Sequence, residues 1–404
     1  MKAIVNQRIN IVDALRGFAL AGIVIVHIVE NYVGAPTPEN TMQGTHIGIL
    51  DSIVDGFIFL FLRGKFFALF SFLFGLSFYL QLNRKKEGED NFIGRFIWRL
   101  VLLFLIGYVH SLFYRGDILT VYALLGVFLV LFYKVSNKWV LIFTGLMFIG
   151  LGRFTVFLIT HGGNIFIPGD FSPNSPLVLS YFEAIQHGSL WDVFKTNAVE
   201  GHLMKMDFQL GVFSRGYITF GFFLLGMVVG RLRFFENFRE LTSETKKVLI
   251  YSIVGFFVSL GLVILVFSQL GPEVKFDNWL SMLGLTFVDL NNIFMTFILI
   301  CVFVIAYRKN WGERVLNIFV PYGKMALTNY FIQSIIGTFI FFGWGLGYLG
   351  TIPNSSAFLL ALLIIGLQVI FSKLWLSYFT YGPLEWLWRS ATYFKWFKIR
   401  KEKA

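Results

Sequence analysis

One cysteine in 404 residues, Cys301, has no partner within the chain, which excludes an intrachain disulfide and any cysteine-built zinc site. Metal-ligand spacing is missing elsewhere too. None of the six histidines has another four residues away, the step that sets two imidazoles on one helical face, so no metal is expected. Charge is scarce: 14% of residues are Asp, Glu, Lys or Arg, against 56% hydrophobic residues and 50 phenylalanines. A soluble globule cannot hide that much apolar surface, and repeated runs near 20 residues mark spanning helices. No soluble stretch remains to carry a basic face for nucleic acid. The net charge of +11 reflects Lys and Arg gathered in connections, as on the cytoplasmic side of a membrane. An internal repeat, which would favour a transporter built from duplicated halves, is absent. The first apolar run lacks a small-residue cleavage site and carries Arg16, so it is expected to be a retained helix.

What is present predicts an all-α, polytopic transmembrane helix bundle of about ten spans, at 11–32, 64–82, 94–113, 116–134, 138–160, 214–233, 245–268, 282–307, 322–343 and 356–378. The apolar segment 47–61, marked off by Asp51, Asp55 and the break Arg63-Gly64-Lys65, reads as an interfacial helix. Alternate connections hold Arg84-Lys85-Lys86, Lys134 with Lys138, Arg231 through Lys247, and Arg308 through Arg314, which predicts both termini in the cytoplasm. The tail 379–404 interleaves Trp386, Trp388 and Trp396 with Arg389 and Lys398, as an amphipathic helix on an anionic leaflet would. The long connection 161–213 is expected on the outer side as a loop or lid.

Arg16 and His27 stand eleven residues apart in the first span. At about 100° per residue they share a face, separated by roughly 16 Å along the axis. Ionisable groups in a spanning helix cost about 2.5–3.5 kcal/mol each, so the pair is expected to face a wet interior. Glu30, one turn beyond His27, could orient the imidazole as a general base; Arg16 near the cytoplasmic surface suits a phosphate. The blander alternative pairs Arg16 with Asp13 at the interface. A second constellation is the tight turn His110-Ser-Leu-Phe-Tyr114-Arg115-Gly116-Asp117, leading to Tyr122; there Asp117 serves equally well as a helix cap. A third is the stripe Thr328, Asn329, Gln333 and Ser334 following Lys324, which either lines a cavity or joins helices, and Asp289, Asn291 and Asn292 add polarity at membrane depth.

The motifs Asp13-Ala-Leu-Arg-Gly-Phe, Gly64-Lys65-Phe-Phe-Ala-Leu-Phe, Gly116-Asp117-Ile-Leu-Thr-Val-Tyr122, Gly323-Lys324-Met-Ala-Leu-Thr-Asn329 and Gly382-Pro383-Leu-Glu385-Trp386 resemble those of the YeiB-like bacterial membrane proteins. That family is similar to the transmembrane acyltransferases, which include acyltransferase-3 and heparan-type acetyltransferases. The resemblance implies a multi-pass protein of the bacterial cytoplasmic membrane, using acyl-CoA, most simply acetyl-CoA, as donor. His27 matches the acyltransferase-3 catalytic histidine, separated from the arginine by ten intervening residues, and His46 is the nearest positional counterpart of the heparan-type histidine. On this reading His27, Glu30, His110 and Asp117 are catalytic and Arg16, Lys65 and Lys324 hold the donor. His46, Arg115, Tyr122, Asn329 and Gln333 meet a glycan, lipid or small-molecule acceptor. Self-association is left open, and a solute or proton-coupled transporter is the alternative.

Overall fold

The computed structural model describes residues 9–34, 36–83, 92–167, 172–271 and 274–402. The chain begins with α1 (Asn10–Val29), α2 (Ile49–Phe57), α3 (Phe66–Asn83), α4 (Phe92–Phe113), α5 (Leu119–Leu129), α6 (Asn137–Phe148) and α7 (Leu151–Thr160). It continues through α8 (Pro176–His187), α9 (Leu190–Ala198), α10 (Glu200–Leu210), α11 (Arg215–Arg231), α12 (Thr242–Phe267) and α13 (Trp279–Tyr307). It closes with α14 (Asn310–Leu316), α15 (Phe319–Lys324), α16 (Ala326–Phe341), α17 (Asn354–Tyr378) and α18 (Pro383–Tyr393). Among the described residues, β pairing is limited to one bridge between Phe379 and Arg400.

Six helical segments are long and apolar enough to cross a membrane, or up to eight if the bent pairs α6–α7 and α10–α11 each count as one. The ten expected spans differ from this for a physical reason. Helices α5 and α16 have 11 and 16 residues, roughly 17 and 24 Å at 1.5 Å per residue, against about 30 Å of hydrocarbon. The expected span 138–160 bends by 50° between α6 and α7, at Gly150 with φ +89°. The connection 161–213 holds the three helices α8, α9 and α10, the last meeting α11 at 62°. Within 47–61, α2 runs into a π-helical turn, Ile58–Leu62, and the helix breaks at Arg63-Gly64-Lys65, where Gly64 takes φ +82°.

Helix α1 lies at the centre, with 72% of its apolar window buried; α12, at 17%, lies at the edge. Gly17 of α1 faces the Phe319 carbonyl and Gly323 of α15 faces the Asp13 carbonyl, so a Cβ at either position would overlap backbone. This close crossing puts Lys324 on the same cavity wall as Arg16. In bilayers such approaches gain dispersion contact that bulkier residues forfeit.

The broken helices need other partners for their loose carbonyls. Arg153 of α7 donates to the Val212 carbonyl (2.8 Å) and the Phe213 carbonyl (3.3 Å), both at the α10–α11 break. The same guanidinium binds Thr286 Oγ1 (2.7 Å) and Asp289 of α13. The Asp289 expected at membrane depth is thus an ion-pair partner, and Asn291 holds α12 through the Phe256 carbonyl (3.0 Å).

The tail docks across the bundle rather than lying free. Trp388 donates to the Arg99 carbonyl (2.9 Å) and Trp98 of α4 donates to the Ala391 carbonyl (3.1 Å), while Trp396 stays exposed. The basic run Arg84-Lys85-Lys86 and Lys403 lie outside the described residues.

Candidate functional site

Two cavities enter the bundle from opposite ends of α1. The first opens on the face that carries the starts of α1 and α4 and the helix α18, called the terminal face below, and measures about 320 Å³. Arg16, Arg99, Lys324 and Arg389 line it, with phenylalanine and leucine side chains deeper in. Aromatic faces hold two of these cations: Arg99 lies 4.2 Å from the Trp388 ring centre, and Arg389 4.9 Å from that of Phe397. Arg16 binds Asp13 (2.8 Å) and Ser77 Oγ (3.1 Å), so the ion pair expected at the interface forms while Arg16 still lines the cavity.

Glu385 stands at the same wall and caps α16. Its carboxylate accepts from the Leu327 N–H (2.7 Å), the Thr328 N–H (3.0 Å) and the Thr328 hydroxyl (2.6 Å). Burial pushes this carboxyl above the usual carboxylate range, and the Thr328 hydrogen bonds pull against that shift.

The second cavity, about 590 Å³, opens on the distal face among Thr37, His46 and Asn354. His27, Glu30, Arg63, Arg115, Asp117, Lys205 and Arg215 line it. His27 packs edge-on against Tyr32 and Tyr114, with ring centres 5.2 and 5.1 Å away, and its buried Nδ1 has no hydrogen-bond partner. Both cavities touch Ile23, Ile118, Tyr122 and Tyr330, which form the septum between them.

Behind the distal wall, His110 and Asp117 share a fully buried bond, Nδ1 to Oδ1 at 2.8 Å. His110 lies 4.7 Å from the Tyr330 ring, and its Nε2 is buried without a partner. Asp117 also caps α5, accepting from the Leu119 N–H (3.1 Å), the Thr120 N–H (2.9 Å) and the Thr120 hydroxyl (2.8 Å). Lys205 lies 3.8 Å from it. The two readings of Asp117 therefore coexist: one oxygen serves both the histidine and the cap.

Several expected partners are placed differently. Glu30 accepts from Arg63 (2.5 Å) instead of holding His27, because the helix ends at Glu30 and the Arg63 break faces it. Lys65 lines neither cavity; its ammonium donates to the Phe59 carbonyl freed by the π turn (2.6 Å). Asn329 also lies off both cavities, joining α16 to α17 through Ser372 Oγ (2.8 Å), and the Gln333 amide is buried without a partner. Arg115 ties down the exit of α1 through the Val33 and Gly34 carbonyls (3.1 and 2.7 Å). His46, at the distal rim, is bonded on both ring nitrogens, by Thr45 Oγ1 (2.8 Å) and Asn354 Nδ2 (3.2 Å). Tyr122 in the septum shares a bond with Ser71 Oγ (2.7 Å).

The chain is 30% identical over 416 residues to the uncharacterized protein YxaH of Bacillus subtilis (strain 168), covering 98% of this chain and 97% of that one. It is 25% identical over 394 residues to the uncharacterized protein YeiB of Escherichia coli (strain K12), covering 94% and 95%. Residues 229–395 match the model described as "Protein of unknown function (DUF418)". The chain belongs to the YeiB-like DUF418 family. Lys324, Tyr330, Glu385 and Arg389 fall inside the matched DUF418 stretch; His27, His110, Asp117 and Arg215 fall outside it, within the full-length similarity.

For this DUF418 protein, sequence reasoning passed over Arg63, Lys205 and Arg215 as site residues. Arg215 had a readable signal: it is a lone cation opening an apolar run, on the end of the span where positive residues are scarce.

Proposed function

We propose that the chain is a membrane-embedded acyltransferase with both termini in the cytoplasm, in the bacterial cytoplasmic membrane. It moves an acyl group, most simply acetyl, from acyl-CoA at the terminal face to a hydroxyl or amine of an envelope glycan, lipid or small acceptor at the distal face. The observation that carries the reading is the meeting of two unlike cavities at one four-residue septum. The terminal cavity offers cations for phosphates and an apolar interior for an acyl group; the distal cavity offers imidazole and carboxylate.

Direct transfer follows from these residues. His27, with Nδ1 unpartnered, takes the proton of the acceptor hydroxyl as its oxygen attacks the thioester carbon. The C–S bond breaks and the thiolate leaves with CoA, receiving the proton that His27 holds. Tyr330, whose hydroxyl accepts the Ile118 N–H (3.3 Å), is the donor assigned to the oxyanion. The Asp117–His110 pair is a positioning group that braces Tyr330 from behind.

Labelled acetyl-CoA tests this on purified protein. Wild type is expected to bind CoA and hydrolyse or transfer acetyl; His27→Ala retains binding and loses turnover, and Arg16→Ala weakens binding about tenfold. Absence of CoA binding by the wild type overturns the reading and leaves a transporter as the account of the two cavities.

A further inference from the structure

The distal cavity contains an arginine whose hydrogen-bond donors lack acceptors. Arg215 begins α11 and lines the cavity with its side chain 20% exposed. No acceptor lies within hydrogen-bond distance of its guanidinium among the described residues. Its nearest anion is Asp289 at 3.7 Å, and Asp289 is already bound to Arg153. The guanidinium lies 4.3 Å from the Phe67 ring centre and 5.9 Å from that of Phe208, flanked by faces that supply no oxygen.

The other cations of the cavity differ. Arg63 holds Glu30 and Asp55, Lys205 holds the Thr120 hydroxyl beside Asp117, and Arg115 holds two carbonyls. The lining carries four cations, Arg63, Arg115, Lys205 and Arg215, against three carboxylates, Glu30, Asp55 and Asp117. Of the four, Arg215 is the one whose guanidinium has no acceptor within hydrogen-bond distance among the described residues. A planar five-donor fork in a low-dielectric hollow is a site for a phosphate or carboxylate group. On the same cavity wall Gln209 keeps a buried side-chain carbonyl with no donor, which a ligand hydroxyl would supply.

We infer that the distal cavity binds a phosphorylated polyol, its phosphate on Arg215, one hydroxyl on Gln209 and another within reach of His27. This rests on the acyl-transfer reading for the use made of the last hydroxyl, but the binding itself does not. Arg215 acts here as a specificity-determining residue for the acceptor.

The test uses the full chain in lipid nanodiscs, with glycerol 3-phosphate, glycerol and inorganic phosphate as probes in calorimetric titrations at low salt. Glycerol 3-phosphate is expected to bind at least tenfold more tightly than either of the others. Arg215→Gln reduces that affinity at least tenfold, and Arg215→Lys, which keeps the charge without the fork, recovers part of it. A monodisperse gel-filtration peak shows that each variant is folded. Equal binding of glycerol and glycerol 3-phosphate, or wild-type affinity in Arg215→Gln, overturns the inference. Inorganic phosphate binding as tightly as glycerol 3-phosphate overturns the polyol assignment. Failure to bind CoA while glycerol 3-phosphate still binds refutes acyl transfer and leaves this site standing; the converse refutes only this site.

Discussion

The two cavities share four wall residues and almost nothing else. The terminal cavity surrounds its cations with aromatic rings and keeps its interior apolar. The distal cavity places histidines, carboxylates and guanidinium groups around a larger hollow. Charges on the terminal side gain from being near a surface, where a cation over a ring contributes about 0.5–1 kcal/mol and water is close. On the distal side Arg115, Asp117 and Lys205 are buried, where each unpaired charge is expensive. Groups kept at that cost are the ones to which a chemical role is assigned. Under the proposed acyl-transfer reading, the difference teaches that the terminal side grips and the distal side reacts.

The largest effect expected to sharpen this division comes from His27→Ala. Turnover falls by a factor of about 10²–10⁴ while CoA affinity at the terminal cavity stays within about twofold, measured by single-turnover kinetics beside equilibrium binding. A parallel loss of CoA affinity would break the division, since the two cavities would then act as one. Asp117→Asn comes next. It leaves Lys205 facing a neutral amide in a buried site and weakens the hold on His110. A destabilisation of about 3–5 kcal/mol is expected, read as a lowered midpoint of thermal unfolding in detergent. Smallest is Glu385→Ala on the terminal side, which removes the cap of α16 and the anchor of α18. A cost of about 1–2 kcal/mol is expected, with faster proteolysis of the tail and unchanged His27-dependent turnover per bound CoA.

How much of this could be read beforehand depends on the range of each interaction. The eleven-residue spacing of Arg16 and His27 is a property of one helix, and each residue lines a cavity, one at either end of α1. The cap formed by Asp117 is equally local. Helical spacing pairs Glu30 with His27 one turn back, but its carboxylate meets Arg63, 33 residues on, beside the break at Gly64. Glu385 and Thr328, 57 residues apart, and Arg153 and Asp289, 136 apart, meet through helix packing that no periodicity encodes. Asn329 and Gln333 read as a polar stripe, but polarity on a helix face does not distinguish a cavity wall from a helix–helix seam. Of the ten expected spans, six to eight are matched by helices of spanning length, and α5 and α16, at 11 and 16 residues, fall short of it.

The septum has an electrical consequence. Were the hollows of about 590 Å³ and about 320 Å³ filled with water from opposite sides of a membrane, only the four shared side chains would stand between two solutions. Most of any transmembrane voltage would then drop across Ile23, Ile118, Tyr122 and Tyr330. At about 2.3 kcal/mol per elementary charge for each 100 mV, that work would be concentrated at these four side chains. A charged group passing between the cavities would feel almost the full membrane potential in one short step, whereas an uncharged one would feel none of it.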